Sequence, residues 1–482
     1  MTSLRRKTVS GMIWSLLQNM GGRGLSFLVT IILARLLTPA YFGLIGMLSI
    51  FITISQALVF SGFNEALIQK KDIDEGDYSS VFWLNLVVSM MLYCVLFFSA
   101  PFISSFYDQT ALTDITRVYA IVFVVNAFSY VQETRLRREM RFRTLTVMQL
   151  PSAIVGGIVS ILMAFMGMGV WSIVALELVT RFVFAVQISL YSHWRPLFIF
   201  EFSKVKRLFD FGWKLMASSL LNAIYQNIYT VVIGKFFSLN SVGYYQTAYK
   251  VVKTPSSTLS NSLGTVVFSA FSSIQDDDVR LKIAYKGIIT QVLFWICPAF
   301  LFTAILADPL FDMVFGTQWM PAVPYFRMLC IVGVFYPLNA YNLTIVKVKG
   351  RSDLFLKLEL IKKLVVSIGV VISVPLGVFF LVGFQAVSAI ISYYINSYFS
   401  GRFIQYPMKE QIRDILPIAV LSCCAGAAIF LIDRILIGSS DWVRLLVGFG
   451  IGIGIYWFMS RAIRISAYFD FLNITRNKLS FK

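Results

Sequence analysis

The chain has 482 residues, 58% of them hydrophobic and only 14% charged, with a formal net charge of +18. Soluble domains run at about 45–50% apolar and about 25% charged, so these values exclude a water-soluble protein and indicate an integral membrane protein. The apolar runs are continuous over the ~20 residues that cross a bilayer core as a helix, unlike the ~10-residue alternating segments of a barrel.

Hydropathy and loop charge predict about fourteen spanning helices. Arg5-Arg6-Lys7 precedes an apolar run that extends to Leu37. That run is too long for the ~7–15-residue core of a signal peptide, and no small-residue cleavage site follows. It is therefore expected to be a first span, Ser10–Leu37, that starts on the cytoplasmic side. The following spans are expected at Tyr41–Ile68, Ser79–Phe102, Leu112–Glu133, Leu145–Met166 and Val170–Tyr191. A basic joint covers residues 193–210. Six more spans are expected at Phe211–Phe237, Val242–Phe271, Gly287–Leu306, Ala322–Val346, Leu354–Leu376 and Leu381–Phe403. The last two are Ile415–Leu436 and Trp442–Ser460, followed by a basic tail.

The basic residues fall mainly in every second loop, including Arg135–Arg143 and Lys347–Arg351. That is the distribution of cytoplasmic loops, and it argues against a nucleic-acid-binding surface. It places both termini in the cytoplasm. The loop Ala307–Pro321, with Asp308 and Asp312 and no base, is expected outside. Val242–Phe271 is the least apolar of the predicted spans, since it holds Lys250, Lys253 and several serines. Removing it would reverse every later loop and break the charge rule.

Thr30–Gly43 and Thr230–Gly243 repeat one pattern about 200 residues apart: threonine, three aliphatics, a small residue, a base, two bulky apolars, a hydroxyl and then glycine. The basic loop after Glu133 and the one after Val346 extend the repeat. The predicted fold is an all-α integral membrane protein with two pseudo-symmetric six-helix lobes, residues 1–192 and 211–404. Residues 193–210 form a cytoplasmic linker, and residues 405–482 add two spans and a tail. Two related helical lobes are the usual construction of a transporter.

Charges inside the spans are the candidate functional groups, because a base at a helix centre costs about 2.5–3.5 kcal/mol and must face protein or a wet cavity. Arg23, Lys250 and Lys253 have no oppositely charged neighbour on their own helix and are assigned to a cavity. Asn222 and Gln226 share a helix face with Tyr229, and Tyr249 shares one with Tyr245 and Lys253. The candidate substrate-binding set is Arg23, Asn222, Gln226, Tyr249, Lys250 and Lys253. Glu65, Glu177, Arg181, Glu359 and Lys363 are candidates for ion coupling or charge relay.

The plainer reading of Glu177 with Arg181, and of Glu359 with Lys363, is a neutralising i,i+4 pair. Lys362 and Lys363 lie near enough to a helix end to snorkel, and Arg117 near enough to reach the outer interface. Cys94, Cys297, Cys330, Cys423 and Cys424 all sit in apolar segments, and His193 is the only histidine. No metal spacing, Walker sequence or external loop with paired carboxylates occurs, so neither a cofactor nor a catalytic site is expected. Bases outnumber acids among the candidates. Arginine and lysine suit phosphate, and tyrosines and amides suit sugar hydroxyls.

Gly11-Met12-Ile13-Trp14, Leu33–Leu44 and Gly62–Gln69 resemble the polysaccharide transporter family, which includes the Wzx-type flippases for O-antigen and colanic acid units. That family belongs to the multidrug/oligosaccharidyl-lipid/polysaccharide exporter superfamily. The resemblance implies a fold like that of the multidrug exporters and lipid II flippases. It further implies a bacterial inner-membrane flippase that carries undecaprenyl-pyrophosphate-linked oligosaccharide to the periplasmic leaflet by alternating access. The implied partners are that substrate, membrane lipids and the polysaccharide polymerase machinery.

Arg23 resembles a cavity arginine of the lipid II flippases in its position, whereas Val29 stands where those proteins have a second arginine. The last two spans resemble the pair that forms their lipid groove. The rivals are a multidrug/cation antiporter, whose cavity should be acidic, and a membrane glycan polymerase or ligase, which would need a larger external loop. A structural scaffold is a further alternative.

Overall fold

The computed structural model describes residues 21–22, 24–60, 67, 73–192 and 194–479. All regular structure among the described residues is helical. The helices are α1 (Gly24–Leu36), α2 (Pro39–Phe60), α3 (Glu75–Tyr107), α4 (Leu112–Tyr119), α5 (Ile121–Arg138), α6 (Phe142–Phe165), α7 (Val170–Ser192) and α8 (Phe202–Phe236). They continue with α9 (Leu239–Ser272), α10 (Asp278–Ile305), α11 (Ala307–Phe315), α12 (Val323–Val348), α13 (Ser352–Ser373), α14 (Val378–Phe403), α15 (Met408–Ile435), α16 (Asp441–Ala462) and α17 (Ser466–Leu479).

Among the described residues, ten helical segments are long and apolar enough to cross a membrane. The chain is thus an all-helical, multi-pass membrane protein. Helices α1, α8, α9 and α13 lie where four further spans were expected, but composition alone does not assign them to the bilayer. Helix α9 is nevertheless one unbroken helix of 34 residues, with Pro255 inside it.

Several helices start earlier than hydropathy suggests. Helix α8 starts at Phe202 rather than Phe211, and α10 at Asp278 rather than Gly287. Hydropathy marks the length that fits in hydrocarbon, whereas the hydrogen-bond ladder continues into polar flanks wherever a cap permits. Asp277 supplies one such cap, accepting from the Arg280 backbone N–H at 3.0 Å. The expected outer loop Ala307–Pro321 is instead α11 followed by a 3-10 turn, Thr317–Ala322. Phe311, Phe315 and Trp319 recur every fourth residue and are buried. Reading that segment by charge alone missed this apolar face. The basic tail also forms a helix, α17.

The chain divides into two compact units, Met1–Gly243 and Tyr244–Lys482. The division falls inside α9, so α8 groups with the first unit. Asn227 of α8 explains that grouping. Its amide oxygen accepts from Ser49 of α2 at 2.9 Å, and its Nδ2 donates to Thr53 at 3.3 Å.

In the first unit, α3 begins with a reciprocal cap. The Asp77 N–H donates to Asp74 Oδ1 at 2.7 Å, and the Asp74 N–H donates to Asp77 Oδ2 at 3.2 Å. Residues 194–201 do not hang free. The Leu197 and Glu201 N–H groups donate to Ser79 and Ser80 Oγ at 3.0 and 3.1 Å, and the Trp83 indole donates to the Leu197 carbonyl at 2.8 Å. Trp194 donates to Glu75 at 2.6 Å. Lys204 then pairs with Asp74 and Glu201 at 2.8 and 2.7 Å, and these two carboxylates hold its ammonium pKa above the usual lysine value.

The two copies of the repeat meet within this unit. A Cβ on Gly43 would lie 2.2 Å from the Leu239 carbonyl oxygen, and one on Gly243 would lie 2.0 Å from that of Pro39. Each glycine is thus packed against the backbone of the other copy, at equivalent positions. Close by in sequence, Lys235 pairs with Asp108 at 3.1 Å.

In the second unit, α10, α12 and α14 are joined through asparagines. Asn342 Oδ1 accepts from Tyr285 OH at 2.6 Å and from Ser400 Oγ at 2.5 Å, while Asn396 donates to Asn339 at 2.8 Å. Such contacts are worth about 0.6 kcal/mol each in a membrane, so they fix register more than they add stability. One end of this unit carries the pairs Lys282–Glu410, Lys286–Asp414 and Lys349–Asp278 at 2.6–2.8 Å. The other carries Arg327–Asp308 at 2.7 Å and Arg444–Asp433 at 2.9 Å.

Gly43→Ala and Gly243→Ala should each lower the thermal unfolding midpoint in detergent, since overpacking costs about 1–3 kcal/mol. Gly454→Ala, where nothing lies within 4 Å of the added carbon, should not. Equal midpoints for all three variants would remove the backbone crossing as a structural constraint.

Candidate functional site

Polar groups gather in the interior of each unit. In the second unit they form a ladder along one face of α9. Buried Tyr245 donates to Gln385 of α14 at 3.0 Å. Tyr249, one turn on, stacks on Tyr245 with centroids 5.7 Å apart and planes 9° from parallel. Lys253, a further turn on, holds its ammonium 5.2 Å from the Tyr249 ring centroid. Tyr336 of α12 interacts electrostatically with both Tyr249 and Lys253. Helix α9 can approach α12 closely here, since Ser256 donates to the Gly333 carbonyl at 3.3 Å and that glycine packs against Val252 and Phe300.

Lys253 lies fourteen residues into α9, about 21 Å along the axis at 1.5 Å per residue. It is therefore far from either end of the helix. Lys250 is exposed and three residues away on the same side. Two lysines one turn apart concentrate positive charge on this stretch of α9. A stacked pair of phenols beside them offers hydroxyls and flat rings, the surfaces that a sugar uses.

The first unit holds a different cluster. Arg181 donates to Glu177 at 2.8 Å on α7. Tyr119 and Tyr130, on the α4–α5 side, interact electrostatically with this pair, and Tyr130 is hydrogen-bonded to Asn126. One turn on, Glu133 is buried and pairs with Arg137 at 2.6 Å. Glu177 and Arg181 thus neutralise each other as the i,i+4 spacing suggested, with Tyr119 and Tyr130 near them.

Not all the candidates fall together. Asn222 and Gln226 are exposed on α8 of the first unit, whereas Tyr229 on the same expected face is buried. The i,i+4,i+7 pattern therefore does not describe one environment. Asn227, which the periodicity passed over, makes the hydrogen bonds to α2. Ser49 and Thr53, spaced i,i+4 on α2, were the available signal for it.

Glu359 pairs with Lys362, three residues on, at 2.5 Å. The i,i+4 spacing had suggested Lys363. The Lys362 side chain is only 13% exposed, so this base is held within the protein and does not snorkel outward. Arg117 is anchored locally, 4.5 Å from the Phe97 ring centroid and donating to the Phe97 carbonyl at 3.4 Å. Arg23 and Glu65 lie outside the described residues.

Residues 32–324 match the family described as polysaccharide biosynthesis protein. The chain belongs to that family. Among its relatives is the teichuronic acid biosynthesis protein TuaB of Bacillus subtilis, 24% identical over 89% of this chain and 90% of that one. The lipopolysaccharide biosynthesis protein WzxC of Escherichia coli is 25% identical over 82% and 81%. The succinoglycan biosynthesis transport protein ExoT of Rhizobium meliloti is 27% identical over 70% and 69%.

Two solved structures define the fold this family member shares. The lipid II flippase MurJ, in an inward closed conformation, superposes with a TM-score of 0.74 at 14% identity, over 96% of this chain and 99% of that one. An inward-facing multidrug resistance transporter of the MATE family and MOP superfamily gives 0.62 at 17% identity, over 79% and 95%. The fold is thus the one seen in these two transporters, as the sequence resemblance implied.

The Glu177–Arg181 geometry sets up a double-mutant test. Glu177→Gln or Arg181→Gln alone leaves one charge in mid-helix and should cut folded protein in membranes, by up to about 2.5–3.5 kcal/mol of insertion free energy. The double variant should recover most of the loss. Additive losses would mean that the two side chains are not coupled.

Proposed function

We propose that this chain is a flippase for a polyprenyl-pyrophosphate-linked oligosaccharide. It carries repeat units of an O-antigen, capsule or exopolysaccharide from the cytoplasmic to the outer leaflet of the cytoplasmic membrane. The observation that carries this reading is the Tyr245–Tyr249–Lys253 ladder with Lys250 beside it, a basic and aromatic lining deep in a helix of a MOP-type fold. The names of the relatives, all from polysaccharide biosynthesis or its transport, point the same way.

In this reading the ammonium groups of Lys250 and Lys253 hold the pyrophosphate. Each supplies a point charge with three donors, which suits a phosphate that must later leave. Tyr249 and the amides of Asn222 and Gln226 take sugar hydroxyls. Arg23 joins the basic set. Two six-helix lobes rock about the substrate so that the site opens first inward and then outward, with both termini cytoplasmic and about fourteen spans in all. The Glu177–Arg181 pair, the Glu359–Lys362–Lys363 group and Glu65 are the groups through which an ion gradient would drive the cycle.

A cation antiporter of the same superfamily fits the lining less well. Bringing an organic cation past Lys250 and Lys253 costs Coulomb energy.

In a deletion strain, Lys253→Ala and Arg23→Ala should each reduce surface glycan at least tenfold while membrane levels of the protein stay normal. Lys253→Arg should keep partial function. Normal glycan in both alanine variants would overturn the basic-site reading, and efflux of organic cations by purified protein in vesicles would favour the antiporter. Glu65→Gln should abolish the part of transport that depends on an imposed ion gradient and leave any gradient-independent exchange intact.

A further inference from the structure

The last described turn of the second unit contains a second basic pocket, separate from the α9 ladder. Helix α16 ends at Ala462, and α17 begins at Ser466. Between and beside them a cavity of about 700 Å³ is lined by Phe458, Arg461, Ala462, Arg464 and Phe469. Both arginines are exposed, and no carboxylate among the described residues forms an ion pair with either. Phe458 is 74% exposed and Phe469 39%. Two forked cations thus face the same cavity as two apolar rings.

The backbone of the turn fixes where the Arg464 side chain leaves it. The turn closes α16 with the Ile465 N–H donating to the Ser460 carbonyl at 3.0 Å, which places Arg464 at the position where helices usually carry a left-handed glycine. Arg464 adopts that conformation, with φ 57°. Asp108, Met140 and Gln405 hold the same left-handed conformation at other helix ends, and here the residue that does so lines the cavity.

The surroundings locate the pocket at a membrane surface. Trp457 and Tyr468 meet edge to face with centroids 5.0 Å apart, and Trp295 packs on Phe471 at the same separation. Helix α17 is fastened there by Gln291, whose Nε2 donates to the Ala467 carbonyl at 2.7 Å. Tryptophan and tyrosine gathered where a spanning helix ends mark the headgroup level of a bilayer.

We propose that the Arg461–Arg464 pocket binds the phosphate of an anionic phospholipid, with Phe458 and Phe469 against its acyl chains. Guanidinium forks match phosphate oxygens in pairs, and basic pockets beside spanning helices are where anionic headgroups bind. The site goes beyond the flippase reading and does not depend on it. A polyprenyl phosphate presents the same chemistry at its head, so the test must separate the two sources.

Binding of short-chain phosphatidylglycerol, phosphatidylcholine and a polyprenyl phosphate to the full detergent-solubilised chain can be followed by native mass spectrometry. The wild type should retain phosphatidylglycerol in preference to phosphatidylcholine. Arg461→Gln and Arg464→Gly should each weaken phosphatidylglycerol binding about fivefold, the effect of one base beside an anionic surface. Arg464→Lys should keep most of it. Arg464→Gly also relieves the left-handed backbone, so an unchanged or raised thermal midpoint shows that lost binding is not lost folding. Equal binding of the two phospholipids by the wild type, or no change in the arginine variants, would overturn the proposal. So would variants that lose only polyprenyl phosphate, because the pocket would then serve the substrate.

Discussion

A charge set among apolar helices has to be compensated by protein, and the polar interior of this chain is arranged around that requirement. Compensation takes three forms. Arg181 and Lys362 each have a carboxylate on their own helix, three or four residues away. Arg117 lies on an aromatic ring and a carbonyl. Lys253 has an aromatic face, which attracts a cation without cancelling its charge. The first form yields a neutral, self-contained unit, whereas an aromatic face leaves the formal charge of the cation on it unchanged.

The sequence repeat places that difference in a comparison. Positions 49 and 53 of α2 correspond to 249 and 253 of α9. In the first copy they are Ser49 and Thr53, and both are taken up by Asn227 in a neutral helix–helix contact. In the second copy they are Tyr249 and Lys253, a ring with a cation above it. The same two places on the same helical face serve as structural glue in one copy and as a charged surface in the other. The copies keep their glycines, Gly43 and Gly243, because each must admit the other's backbone. They diverge a few turns on, where no such contact restrains them.

Much of this was legible in the sequence. The class of fold follows from apolar length. Helix α9 was recoverable only through the charge rule, because its lysines and serines depress its hydropathy. The missed parts have a common cause: they depend on partners distant in sequence. Asn227 looked no different from Asn222 until α2 lay beside it. The 307–321 segment looked like a loop because its two aspartates are conspicuous and its buried aromatics are spaced by four. Glu359 had two lysines within reach, and spacing alone could not choose between rotamers. The pocket beside Arg464 depends on a backbone dihedral that composition does not encode.

Pro255 lies two residues beyond Lys253, and its ring nitrogen has no hydrogen to give. The Val251 carbonyl is therefore left without its helical donor, between the two lysines in sequence. Helix α9 thus lacks one rung of its hydrogen-bond ladder at the point where its charge is concentrated. A continuous helix with one soft joint links any bending of the chain to the direction in which an ammonium group points.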